Sequence, residues 1–123
     1  MLIALTSQVL GTIVKGTVQR PRPTPEEAQI TGPIAGSFSY PSGHVLTYIV
    51  VLGLIALLIL DVLPASGWAR RRDQALCALC MALIVLIGPS RVALGQHWPM
   101  DVVGAYLLGG AVLALLARWR RPA

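Results

Sequence analysis

Residues 90–101, Ser-Arg-Val-Ala-Leu-Gly-Gln-His-Trp-Pro-Met-Asp, form a polar island between two apolar runs. His97 and Asp101 are four residues apart, and Arg91 precedes the histidine by six. A carboxylate that orients an imidazole, with a fixed cation nearby, is what phosphoryl chemistry on a histidine requires. Two further clusters could join it. Lys15 is followed by Arg20-Pro-Arg22-Pro, and Pro41-Ser42-Gly43-His44 precedes a long apolar run.

The elements that carry these residues belong to a membrane protein. Hydrophobic residues make up 55% of the 123 and charged residues only 12%, with mean hydropathy +0.71; a soluble domain carries about 25% charged residues. The chain reads as one domain, 1–123. The formal net charge of +5 sits in separated clusters between apolar runs, which excludes a nucleic-acid face and instead reports topology. Cys77 and Cys80 fall inside an apolar run and read as small buried residues. The N-terminus lacks the basic start and small-residue cleavage site of a signal peptide.

Four apolar runs predict an all-α helical bundle of about four transmembrane helices. The first covers about residues 2–14 and is short for a span. The second is His44–Leu63, with Ser42 placed as its cap. The third is about Gln74–Pro89, slightly short unless it continues through Val92–Leu94. The fourth is Asp101–Ala117, with Pro99 in its first turn. Residues 20–43 form one long loop, with a turn at Glu26–Glu27 and breaks at Gly32, Pro33 and Gly36. Residues 64–73 form a short loop holding Arg70, Arg71 and Arg72. Four passes put this cluster and the basic residues at 118–121 on one side, cytoplasmic by the positive-inside tendency. The long loop and the polar island then share the outer face, and the C-terminus is cytoplasmic.

That topology gathers Lys15, Arg22, Ser42, Gly43, His44, Ser90, Arg91, His97 and Asp101. Each has a chemical role to offer. Arg22 and Arg91 present planar forks to phosphate oxygens, and Lys15 a point charge. Ser42-Gly43-His44 opens a helix, whose unpaired N–H groups favour an anion. Asp101 could hold the His97 ring, and His44 could protonate a leaving oxygen. Taken singly, Arg20 and Arg22 could be headgroup contacts, His44 a cap or interface residue, His97 beside Trp98 an interfacial anchor and Ser90 a turn residue. Arg20, Glu26, Glu27 and Tyr40 read as loop or rim residues. Two histidines and an aspartate could bind a metal, but three surrounding cations favour an anion instead.

The pattern resembles a known family. Lys15, six residues, Arg22-Pro23; then Pro41-Ser42-Gly43-His44; then Ser90-Arg91, five residues, His97, three residues, Asp101: these match the three-part signature of the type 2 phosphatidic acid phosphatase superfamily, which includes membrane lipid phosphatases and vanadium haloperoxidases. The resemblance implies that His97 is the nucleophile forming a phosphohistidine, that Asp101 orients it and that His44 protonates the leaving group. It implies that Lys15, Arg22, Ser42, Gly43 and Arg91 hold phosphate oxygens, with Ser90 supporting the pocket, and that neither metal nor other cofactor is needed. Membrane members usually have six helices, and this chain begins at about the third, so it is expected to be the C-terminal part of that core.

The expected activity is hydrolysis of a lipid phosphate or polyprenyl diphosphate on the outer face of the membrane, with membrane lipids as the other partners. The alternatives are a catalytically incomplete remnant, a lipid phosphotransferase and a vanadium haloperoxidase.

Overall fold

The computed structural model describes residues 2–30, 38–62 and 66–119, with backbone alone for 2–8. Gly32, Pro33 and Gly36 lie outside the described residues, as do Leu63, Pro64, Ala65, Arg120 and Arg121. The described chain contains α1 (Leu2–Val18), α2 (Gly43–Asp61), α3 (Gly67–Ala93) and α4 (Pro99–Trp119), and no strand among the described residues. Three of these, α2, α3 and α4, are long and apolar enough to cross a membrane. The fourth, α1, has 17 residues. The protein is an all-α, multi-pass membrane protein.

One expectation for α3 is corrected, and one left open is decided. The helix starts at Gly67, so Arg70, Arg71, Arg72 and Asp73 are helical rather than part of a loop. Arginine and alanine are good helix formers. One turn apart, the Arg72 guanidinium lies 5.7 Å from the Trp68 ring centroid. With 27 residues α3 is about 40 Å long, more than the hydrocarbon core needs, so its arginine-bearing turns can reach the interface.

At the other end, α3 runs through Pro89 to Ala93, the continuation that the shortness of its apolar run had left open. Proline lacks the N–H that would bond the carbonyl four residues back, here Val85. The Tyr106 hydroxyl of α4 supplies the replacement, lying 2.7 Å from the Ile84 oxygen and 3.0 Å from that of Val85. Gly88 makes room for it, because a Cβ there would stand 2.6 Å from the Tyr106 hydroxyl and 2.6 Å from Val102 Cγ1. The bridged proline carries Ser90 and Arg91 onward on a continuous helix.

The core consists of Val45, Leu46, Ile49 and Val50 of α2, Ile84 of α3, and Val102 and Ala105 of α4. It underlies the start of α2 and of α4. The end of α1, the start of α2, the end of α3 and the start of α4 meet at one end of the bundle. Lys15 Nζ donates to the Phe38 carbonyl at 2.8 Å, and the Ser42 N–H to that of Asp101 at 3.1 Å. Trp98 Nε1 donates to the Pro21 carbonyl at 3.2 Å. Within the long loop, the Glu27 carboxylate accepts from both the N–H and the hydroxyl of Thr24, which closes the expected turn.

Candidate active site

Asp101 lies in the first turn of α4 and is fully buried, and His97 on the preceding loop is 3% exposed. Burying a carboxylate is costly unless hydrogen bonds replace its hydration. Here Oδ2 accepts the Trp98 N–H at 2.8 Å and the Ser39 hydroxyl. The other oxygen, Oδ1, forms an ion pair with Arg20 Nη1 at 3.4 Å. The His97 ring lies across this carboxylate, with Nδ1 3.6 Å from Oδ2 and 3.4 Å from Ser39 Oγ.

The far side of the ring faces Arg22. Its Nη1 donates to the Gln96 carbonyl at 2.7 Å and stands 3.3 Å from His97 Nε2. A guanidinium has only donors, so Nε2 carries the lone pair and Nδ1 the proton. Burial, reinforced by the Arg22 charge, pulls the His97 pKa down to about 4, against an opposing pull from Asp101. The imidazole is therefore neutral near pH 7 and presents an unprotonated Nε2 beside a fixed cation.

Arg91, at the end of α3, donates to the Gln96 side-chain oxygen at 3.2 Å, while its Nε is buried with no partner among the described residues. Lys15, Arg22 and Arg91 all act electrostatically on His44, the second residue of α2. Ser42 occupies the N-cap position, but its hydroxyl makes no cap bond; it is buried and without a partner among the described residues. Among the described residues, nothing beyond its chain neighbours and its own helix backbone lies within 4 Å of where a Gly43 Cβ would be, so the backbone at the start of α2 is approachable. Ser90 differs from the rest, its hydroxyl bonding the Ile87 carbonyl of its own helix at 2.7 Å.

Sequence reasoning passed over Ser39, Arg20 and Gln96. Arg20 does not stand at the rim but pairs with Asp101 and stacks at 5.8 Å on the Trp98 ring. Its signal was available: in an extended Arg-Pro-Arg-Pro, residues two apart share a side, so Arg20 and Arg22 reach the same site. Tyr40 is likewise more than a rim residue, since its ring fills the space where a Gly104 Cβ would be. Ser39 and Gln96 carried no comparable pattern.

A family model described as the PAP2 superfamily matches residues 1–123. The chain is 31% identical to phosphatidylglycerophosphatase B of Bacillus subtilis over 111 residues, covering 89% of this chain and 50% of that protein. It is 35% identical to an undecaprenyl-diphosphatase of Sulfolobus acidocaldarius over 103 residues, covering 82% and 44%. The crystal structure of a transmembrane PAP2-type phosphatidylglycerolphosphate phosphatase from B. subtilis superposes with TM-score 0.77 at 30% identity, over 95% of this chain and 54% of that one. The chain thus spans about half the length of the curated relatives it matches. A buried His–Asp pair ringed by arginines on a helical membrane scaffold and a match along the whole chain lead to one assignment: the protein belongs to the PAP2 superfamily.

Proposed function

We propose that this chain carries the catalytic part of a membrane phosphatase that hydrolyses a lipid phosphate or a polyprenyl diphosphate through a phosphohistidine on His97. The observation behind this reading is the buried, neutral imidazole with Nδ1 turned to Ser39 and Asp101 and Nε2 turned to Arg22. Nε2 attacks phosphorus as the bond to the leaving oxygen breaks, and His44 gives that oxygen a proton. The ring becomes positively charged, which Asp101 stabilises. Water then attacks the phosphohistidine, giving a proton to His44, and inorganic phosphate leaves with His97 restored.

Lys15, Arg22, Arg91 and the start of α2 at Ser42-Gly43 hold the phosphate oxygens and offset the charge that moves during transfer. These cations supply the neutralisation that a metal gives elsewhere, so the mechanism runs without one. Ser90 supports the pocket through the end of α3. A lipid substrate fits a site at the mouth of spanning helices, and relatives named for phosphatidylglycerophosphate and for undecaprenyl diphosphate both share this region. Arg70, Arg71, Arg72 and Arg118 lie at the opposite end of the bundle from the site, which favours an outward-facing site and a cytoplasmic C-terminus.

The test is release of phosphate from radiolabelled lipid phosphates, with trapping of the intermediate. An acid-labile, alkali-stable label on His97 is expected. The His97→Ala variant is expected to insert in membranes normally and release no phosphate; normal turnover in that variant overturns the assignment. Label arriving in a second lipid instead of in free phosphate marks phosphotransfer.

A further inference from the structure

Asp101 and His97 are not in direct hydrogen-bond contact. The Ser39 oxygen is the nearer acceptor to Nδ1, at 3.4 Å against 3.6 Å for Asp101 Oδ2, and both separations are longer than the usual 2.7–3.2 Å for N–H···O. The geometry points to Ser39 as a positioning residue for the phosphoryl transfer proposed above, its hydroxyl linking the imidazole to the carboxylate. The inference rests on that reading of His97.

Proton accounting supports the linkage. The Ser39 hydroxyl has one proton and gives it to Asp101 Oδ2, which as a carboxylate can only accept. What the oxygen offers His97 is then a lone pair, so Nδ1 must be the protonated nitrogen. Oδ2 is already engaged by Ser39 and by the Trp98 N–H, which leaves the serine as the acceptor with capacity for Nδ1–H. Ser39 is fully buried, so water does not compete for its hydroxyl.

The backbone holds Ser39 in place through the same segments that bring the cations. Its N–H donates to the Arg20 carbonyl at 2.8 Å, and the neighbouring Phe38 carbonyl is held by Lys15 Nζ at 2.8 Å. Lys15 therefore also fixes the strand of loop that carries Ser39. Without the hydroxyl, Nδ1 keeps only the Ser39 backbone contact and the more distant carboxylate, and part of the population shifts to the tautomer with the proton on Nε2, which cannot attack phosphorus.

The experiment compares Ser39→Ala, Ser39→Cys and Ser39→Thr with the unaltered chain in detergent. The His97 tautomer is read from its ring nitrogen NMR shifts near neutral pH, and kcat and KM are read on a soluble phosphate ester. Loss of one hydrogen bond to an ionised network is expected to lower kcat on the order of 10–100-fold in Ser39→Ala, with KM changed less than about twofold. The tautomer should become mixed, and Ser39→Thr should recover most of the rate. Ser39→Cys, similar in size with a weak donor, should behave as Ser39→Ala does and serves if the alanine variant does not fold. An unshifted tautomer, a wild-type kcat, or a threonine variant no better than alanine overturns the role of Ser39. Full turnover in His97→Ala would instead overturn the catalytic reading, and an inactive His97→Ala beside a fully active Ser39→Ala would overturn only the serine.

Discussion

Arg22 Nη1 sits 2.7 Å from the Gln96 carbonyl and 3.3 Å from His97 Nε2. One guanidinium thus pins the loop that carries the histidine and occupies the side of the ring where a phosphoryl group would arrive. It links two stretches 74 residues apart in the chain.

Substituting Arg22 should therefore affect both geometry and charge. Arg22→Lys keeps a positive charge but loses the planar fork that can hold Gln96 and a phosphate oxygen together. We expect kcat/KM to fall by about 10²–10³-fold, comparable to the loss of one donor from a preorganised anion site. Steady-state kinetics on a soluble phosphate ester checks this; a change below tenfold would show that Arg22 only anchors the loop.

The pH profile follows from the His97 pKa of about 4. In the proposed mechanism, phosphorylation of His97 needs the neutral ring. The rate should stay level as pH falls from neutral and decline tenfold per unit only below about 4. Burial is the first cause of the lowering and Arg22 the second, so Arg22→Gln removes a lowering influence and moves the acid limb upward, toward the ordinary imidazole value. Single-turnover rates with an ester whose leaving group needs no protonation would locate the limb. A limb near the ordinary imidazole value in the unaltered chain would contradict the buried, cation-facing ring.

Gly95 precedes Gln96 and His97 in a left-handed conformation, φ +67°. A Cβ there would stand 2.8 Å from the Gln29 carbonyl oxygen and 3.1 Å from its carbon. Both are backbone atoms, so neither the strain nor the clash has an easy relief. Gly95→Ala should cost about 1–3 kcal/mol and lower activity by shifting the His97 loop away from the loop that carries Arg22. Gly110→Ala is the control, since among the described residues nothing beyond its own helix backbone lies within 4 Å of its Cβ position. Thermal unfolding of the two variants in the same detergent, with activity on each, measures the difference.

Tyr106 and Pro89 should be coupled. Tyr106→Phe leaves the carbonyls of Ile84 and Val85 without the phenol donor and should destabilise the protein by about 1–3 kcal/mol. Pro89→Ala restores an N–H for Val85, so the same Tyr106→Phe change should cost less in that background. A double-mutant cycle on unfolding free energies measures the coupling. Additive effects would mean that Tyr106 does not compensate for the proline.

Much of this protein was readable before folding because a bilayer makes polarity conspicuous. Residues such as His97, Asp101, Arg91 and Lys15 stand out against apolar runs, and their spacing carries the family pattern. The bounds of the apolar runs located α2 and α4 to within about two residues, the ordinary uncertainty of helix ends. The start of α3 was misplaced, and its continuation past Pro89 was readable only as an option. Whether a helix passes through Pro89 depends on a donor arriving from another helix, and Tyr106 is 21 residues from Val85.

The same limit applies at the site. Sequence alone established which residue types were present and which helix ends carried them. It did not say which atom would stand beside each face of the imidazole. Ser39 is 58 residues from His97 and 62 from Asp101, and only the packing of the long loop against the start of α4 brings the three together. Spacing reports which face of an element a residue occupies. The partner of a buried polar atom is set by close packing between segments distant in the chain, so Ser39 and Gln96 became visible only in the folded protein.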